Sequence, residues 1–126
     1  MCIRDSLGTA LYSPTSQIAL RLVSREAIDE AAWLQFLQAR LRAAIARRKP
    51  LLDEQNNACR LCFSEADELP GLVADKYGDL VILQLLARGL DTAAVRAACV
   101  RAVSYTHLYR PLVLPAREGA FHLHFH

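Results

Sequence analysis

The sequence predicts an α+β fold, and three observations support this prediction. Short apolar runs bounded by turn residues occur near the start of the 126-residue chain and again in its middle. Residues 30–49, between these runs, contain no glycine or proline and carry apolar side chains at helical spacing. Hydrophobic residues make up 53% of the chain, which is enough for a core and is not typical of a disordered protein.

The first predicted element is a pair of strands. Residues 7–12 and 17–24 are predicted as strands, separated by the turn sequence Ser-Pro-Thr-Ser at residues 13–16. Alternation along the second strand places Ile18, Leu20 and Leu22 on one face. Because two strands alone are marginally stable in water, we expect them to close a small β-domain whose start is missing.

A long helix is predicted next. Asp29 is a suitable N-cap, Glu30 suits the positive end of the helix dipole, and Pro50 ends the helix. The helix face predicted to be apolar consists of Leu34, Leu37, Leu41 and Ile45, widened by Trp33 and Phe36, which we expect in the core.

Basic side chains cluster at the end of this helix. Between residues 40 and 49 there are five basic residues and no acidic one, whereas residues 60–100 carry six acidic and four basic residues. This division suggests two functional surfaces, of which the basic one could contact RNA phosphates. A solvated helix end is an equally good explanation. The candidate RNA contacts are Arg21, Arg25, Arg40, Arg42, Arg47, Arg48 and Lys49.

Three further strands and a second helix are predicted after a polar connector. The strands cover residues 59–63, 72–75 and 80–86, with turns at Pro70-Gly71 and Tyr77-Gly78. The second helix begins at Asp91 or Thr92 and ends near residue 102, and no element is assigned from residue 103 onward. The acidic residues of these turns are expected to be solvated turn formers and not a metal site: Glu65, Asp67, Glu68, Asp75 and Asp79.

The residues give no indication of a catalytic, cofactor or metal site. The four cysteines are scattered and are expected to be reduced and buried, and no glycine-rich strand-to-helix turn could hold a cofactor. Cys59 and Cys62 form a C-x-x-C pair, but strand alternation should direct them to opposite faces. His122, His124 and His126 alternate as metal ligands would, and we interpret this spacing as accidental.

Neither a membrane span nor a signal peptide is predicted. No run of about 18 apolar residues occurs, and residues 1–6 lack the apolar centre of a signal peptide. We therefore expect a cytoplasmic protein.

Four segments in order, residues 11–21, Ile28-Asp29, 59–63 and 65–85, resemble landmarks of the bacterial class I large-subunit ribosomal RNA cytosine-5 methyltransferases. The resemblance covers residues 7–103. It implies that residues 7–25 end a PUA-like RNA-binding β-domain. Residues 26–102 would then form a small middle domain of helix, three-stranded antiparallel sheet and helix. Glycine is usual in the family where Ser64 and Glu68 stand here, so the acidic turn is expected to differ in shape.

The resemblance also implies a function. The family transfers a methyl group from S-adenosylmethionine to a cytosine of ribosomal RNA through a cysteine nucleophile, in a Rossmann-like domain that we expect to be absent here. The chain is therefore expected to be an inactive fragment that binds no S-adenosylmethionine, has ribosomal RNA as its partner and leaves the oligomeric state open, including a homodimer of the full-length protein. The alternative is a stand-alone RNA-binding module of the PUA type.

The two ends depart from the family. Residues 1–6 and 103–108 resemble translated sequencing adapters. We accordingly expect an artefactual lead at residues 1–6 and an artefactual or unassigned tail at residues 103–126.

Overall fold

A computed structural model describes residues 7–104 and the backbone of residues 110–114. The predicted mixture of helices and strands is confirmed. The elements are β1 (Thr9–Tyr12), β2 (Leu20–Ser24), α1 (Glu30–Arg48), β3 (Ala58–Phe63), β4 (Leu72–Tyr77), β5 (Leu80–Leu85), α2 (Ala93–Ser104) and β6 (Arg110–Leu114). Short 3-10 turns cover Lys49–Leu51, Ser64–Asp67 and Arg88–Leu90.

The strands form two sheets. β1 and β2 pair as an antiparallel hairpin. In the second sheet the order is β3-β4-β5-β6, with the first three strands antiparallel and β6 parallel to β5. The three predicted antiparallel strands are confirmed, and the sheet has a fourth strand that the sequence did not indicate.

The fourth strand, β6, is recognised by its hydrogen-bonded pairing with β5 and not by a pattern in its own sequence. Parallel neighbours need a long crossover, and α2 lies in the connection between β5 and β6. The pairing runs from Leu80 opposite Arg110 to Gln84 opposite Leu114. α2 itself continues to Ser104, two residues beyond the predicted end near residue 102.

α1 forms where its capping residues and apolar spacing predict it. The Ala32 N–H donates to Asp29 Oδ1 at 2.8 Å, which satisfies one of the amides left free at a helix start. Pro50 follows the last turn, and the Lys49 N–H still reaches Ile45 O. The face that packs into the core is Leu37, Leu41, Ala44 and Ile45.

The core lies between the second sheet and the two helices, since α1 contacts both α2 and β3. Trp33 and Phe36 pack against this core, as predicted, with their rings stacked at 5.9 Å between centroids. The side chains completely removed from solvent include Leu41, Leu61, Val81, Leu83, Leu85, Ala98, Ala102 and Val103.

The β1–β2 hairpin packs one of its two faces against the unit formed by the second sheet and the two helices. Leu11 and Val23 are buried in the common core. Tyr12, Leu20 and Leu22, on the opposite face, are exposed. The shared face predicted for Leu20 and Leu22 is therefore confirmed, and that face is not covered by any residue that the structure describes.

Within the described residues, no helix combines the length and the apolar character that crossing a membrane requires.

Candidate nucleic-acid interface

The basic helix end and the acidic turn, predicted as separate surfaces, lie against each other. We use "acidic turn" for residues 64–68, which comprise the 3-10 turn Ser64–Asp67 and the following Glu68. Four of the seven candidate RNA contacts bind this turn: Arg21, Arg40, Arg47 and Arg48. Electrostatic attraction within the chain therefore occupies part of the predicted basic surface.

Asp67 is the centre of this contact. Arg48 Nη1 donates to Asp67 Oδ1 at 2.5 Å and Arg48 Nη2 to Oδ2 at 2.8 Å, and Arg47 Nη2 adds a bond of 2.7 Å to Oδ1. The Phe63 N–H donates to Oδ2 at 2.7 Å. The Asp67 side chain is only 2% exposed, so the expectation that it is a solvated turn residue is wrong. A carboxylate can be buried here because these donors replace its water.

The same contacts fix the charge of the carboxylate. Burial alone raises the pKa of Asp67, but the hydrogen bonds from Arg48 and Arg47 and from the Phe63 amide outweigh it and lower the pKa to about 2. The hydrogen bond to Asp67 in turn raises the pKa of Arg48 above its ordinary value. Both groups are therefore charged at neutral pH.

Arg40 makes a different type of contact. Its Nη1 donates to two backbone carbonyls, Val23 O and Glu68 O, each at 2.5 Å, and its guanidinium lies 4.1 Å from the centre of the Phe36 ring. Arg21 on β2 reaches Glu65 Oε1 at 3.2 Å. Arg21 thus links the hairpin to the acidic turn, and Arg40 links α1 to both the hairpin and the acidic turn.

The other three candidate RNA contacts lie on the surface. Arg25, Arg42 and Lys49 are exposed, and Arg47 remains about half exposed despite its bond to Asp67. Arg42 and Lys49 are seven residues apart at helical geometry, which places them on the same side of α1 about 10 Å apart along its axis. These side chains are the ones that a phosphate backbone could reach from solvent.

The acidic turn has an unusual backbone at both ends. Ser64 has φ 46° and Glu68 has φ 59°, the left-handed region that favours glycine. At these two positions the sequence resemblance predicts glycine. The turn keeps the glycine-type conformation with other side chains, and the Ser64 hydroxyl oxygen accepts a bond of 2.9 Å from the Gly71 N–H.

The cysteines have the environment of core residues. Burial raises the pKa of Cys62 to about 12 and that of Cys99 to about 11, so both thiols are protonated at neutral pH. A register shift between Arg60 and Cys62 places Cys62 in the core and leaves Cys59 packed against the same core. The expectation that Cys59 and Cys62 point to opposite faces is therefore wrong.

No group of three or more potential metal ligands occurs among the residues that the structure describes. His122, His124 and His126 lie outside those residues. The described residues of the candidate interface offer charge pairing and hydrogen bonding.

The ion pairs of the acidic turn were missed by sequence reasoning. Asp67 is 19 and 20 residues away from its two arginines, so no helical or strand spacing connects them. The surplus of basic residues on α1 and of acidic residues after it was the available signal, and it was interpreted as two surfaces.

Comparison with known proteins finds relatives that share one name. No profile of a known protein family matches the chain. A ribosomal RNA large subunit methyltransferase I from Pseudoalteromonas translucida is 39% identical over 89 residues, which cover 68% of this chain and 22% of that protein. The protein of the same name from Erwinia tasmaniensis is 38% identical over 98 residues, covering 77% of this chain and 24% of that protein.

Two solved structures share the fold. SMU.776, a methyltransferase structure complexed with SAH, has a TM-score of 0.70 at 21% identity, covering 85% of this chain and 28% of that one. A SAM-dependent methyltransferase from Streptococcus mutans has a TM-score of 0.67 at 20% identity, covering 90% and 32%.

The chain spans less than a quarter of the length of these curated relatives, 22% and 24% in the two cases. Over that segment, identity close to 40% extends through most of the described residues. These matches confirm the resemblance noted in the sequence: over more than two thirds of its length the chain is similar to proteins named ribosomal RNA large subunit methyltransferase I.

Proposed function

We propose that the chain is a segment of an S-adenosylmethionine-dependent enzyme that methylates C5 of a cytosine in ribosomal RNA. In this proposal the segment supplies scaffold and an RNA-contacting surface, and the methyl transfer itself takes place elsewhere in the enzyme. The observation that carries the proposal is the sequence match to the large-subunit ribosomal RNA methyltransferases. A ribosomal RNA substrate also favours a cytoplasmic location. No observation favours the alternative of a stand-alone RNA-binding module.

The division of labour within the enzyme is supported by the chemistry of the described residues. Attack on a cytosine ring requires a thiolate and a pocket for the extruded base. The buried thiols of Cys62 and Cys99 have raised pKa values and lie in the core. We therefore assign neither of them as the nucleophile, and we assign no described residue to the cofactor.

The RNA-contacting surface of this proposal consists of Arg25, Arg42, Arg47 and Lys49. Their exposure allows contact with phosphates, which bind arginine and lysine through charge and release counterions on binding. Arg21, Arg40 and Arg48 were also candidates, but their donors are directed to the acidic turn or the hairpin backbone. We therefore leave these three out of the proposed RNA-contacting surface.

The test measures the affinity of the full chain for a large-subunit ribosomal RNA fragment by fluorescence anisotropy between 50 and 200 mM salt, about the range where phosphate contacts are most visible. The variant R42A/K49A should bind more weakly, and its salt dependence should fall by roughly 0.7 per lost phosphate contact. The matched control R88A/R101A removes two exposed arginines outside this surface. Equal affinity of the two double variants would contradict the RNA-contacting role.

A second measurement addresses the cofactor. Titration of S-adenosylmethionine into the full chain in a calorimeter should give no binding heat. Binding in the micromolar range would refute the assignment of the cofactor site to another part of the enzyme.

A further inference from the structure

We propose that Arg40 is a positioning residue that holds the β1–β2 hairpin against the α/β unit. On this proposal Arg40 is not an RNA phosphate contact, although its place in the basic segment predicted one. Its importance for RNA rests on the proposed function, because the hairpin would be the boundary with an RNA-binding domain. The mechanical role of Arg40 can be tested without RNA.

The contacts of Arg40 join three parts of the chain. The side chain starts from α1, and its Nη1 donates to Val23 O on β2 and to Glu68 O at the end of the acidic turn, both at 2.5 Å. These carbonyls are 17 and 28 residues away in sequence. The Phe36 ring, one helical turn earlier, supports the guanidinium at 4.1 Å. The guanidinium is thus fixed in direction before it meets the hairpin.

The hairpin needs such a contact. A two-stranded hairpin is marginal on its own, so its order depends on what it docks against. Its buried side chains on the docking face are Leu11 and Val23. The Thr9 hydroxyl, which donates to Glu26 O and accepts from the Ile28 N–H, ties the hairpin only to the connector that follows it. Arg40 adds a charged hydrogen bond to the unit itself.

A second polar link across this junction, between Arg21 and Glu65, is weaker. Arg21 and Glu65 form an ion pair at 3.2 Å, but their side chains are 33% and 64% exposed. Exposed pairs of this type contribute little to stability and are screened by salt. Arg40 is less exposed, at 21%, and binds backbone carbonyls whose positions do not depend on side-chain rotamers.

The surroundings of Arg40 also disfavour phosphate. A groove beside it is lined by Arg25, Glu65 and Glu68. Glu68 Oε2 lies 3.9 Å from Arg40 Nε. A phosphate entering this groove to bind Arg40 would lie close to the carboxylates of Glu65 and Glu68. Like charges in such proximity repel.

The test compares R40A and R40K with the wild-type chain by hydrogen exchange and mass spectrometry. R101A is the matched control, because it removes an exposed helical arginine outside the proposed RNA-contacting surface. Both Arg40 variants should accelerate exchange of the hairpin amides, Thr9–Tyr12 and Leu20–Ser24, by roughly tenfold or more, since hydrogen bonds to charged groups are strong enough for such a change. Amides of β4 and β5 should exchange at the wild-type rate. R40K is included because it keeps the charge and lacks the planar guanidinium.

Two results would overturn the proposal. One is hairpin exchange at the wild-type rate in R40A, and the other is equal acceleration throughout the chain in both Arg40 variants. RNA titrations separate the roles further. A phosphate contact predicts that R40A lowers the salt dependence by roughly 0.7 and that R40K restores it, whereas a positioning role predicts the wild-type salt dependence in both variants. If the wild-type chain binds no RNA, the proposed function fails, and the exchange experiment still decides the role of Arg40.

Discussion

Arg48 and Asp67 form a bidentate ion pair that joins the end of α1 to the acidic turn. The two contacts are 2.5 Å between Nη1 and Oδ1 and 2.8 Å between Nη2 and Oδ2. Arg47 binds the same carboxylate, so one buried acid is shared by consecutive arginines. The acidic turn, which connects β3 to β4, is thereby fixed to the end of α1.

The substitution D67N should destabilise the protein by about 3 kcal/mol. It removes the charge while keeping the shape, and it leaves Arg48, whose side chain is 23% exposed, beside a neutral group. Urea unfolding followed by circular dichroism measures the effect. E54Q is the control because Glu54 is exposed, and its unfolding midpoint should match the wild type. A midpoint for D67N equal to that of E54Q would show that the pair adds no stability.

The free energy of unfolding should depend on pH through the ionisation of Asp67. Its pKa is about 2 in the folded protein, below the ordinary value of 3.8, so the carboxylate stabilises the fold above pH 3.8. That contribution, about 2 kcal/mol, is lost as the pH falls from about 5 to 2. The wild type and D67N should therefore differ in urea midpoint at pH 7 and converge near pH 2. A difference that stays constant across this range would contradict the assignment.

The elements that could be predicted from sequence are those with strong local signals. Asp29 and Pro50 bound α1, and Gly71 and Gly78 lie in the turns on either side of β4, as predicted. β2 begins later than predicted, because the Ser13 N–H bonds to Ala19 O and extends the turn into residues 17–19. The alternation of apolar and polar residues does not reveal a hydrogen bond between residues six positions apart in a turn.

The missed features all depend on contacts between distant segments. β6 exists because β5 offers an edge, and its own sequence lacks a recognisable strand pattern. The candidate site shows the same limit. The surplus of basic residues on α1 was visible, but the partners of Arg40 and Arg48 are 17 to 28 residues away, and only the fold brings them together.

Gly71 should tolerate no side chain. Its φ is +81°, and a Cβ there would lie 2.5 Å from Ala87 Cβ and 2.8 Å from Ala87 N. We expect G71A to cost about 3 kcal/mol or more through strain and overlap. Gly78 also has positive φ, +62°, but faces open space, so G78A should cost about 1 kcal/mol. Thermal unfolding of both variants measures the difference, and equal melting temperatures would contradict the close approach at Gly71.

The two left-handed residues of the acidic turn should respond differently to substitution by glycine. E68G relieves a φ of 59° and should stabilise the protein by about 1 kcal/mol, since the side chain of Glu68 makes only a long contact of 3.9 Å to Arg40. S64G relieves a φ of 46° but removes the hydroxyl that accepts from the Gly71 N–H. We expect it to be neutral or destabilising. Urea midpoints decide, and a lower midpoint for E68G would contradict strain at that position.

The cysteines should differ in their reaction with iodoacetamide. Only thiolates react quickly, and burial raises the pKa of Cys62 to about 12 and of Cys99 to about 11. Cys59 is partly exposed and should be alkylated before Cys62 and Cys99 at pH 8, as measured by mass spectrometry of timed digests. Cys62 also donates its S–H toward Leu72 O at 3.7 Å inside the core, so its labelling should await unfolding. In denaturant Cys59, Cys62 and Cys99 should react at similar rates, which separates protection by the fold from intrinsic reactivity. Labelling of Cys62 as fast as Cys59 in the folded chain would contradict its place in the core.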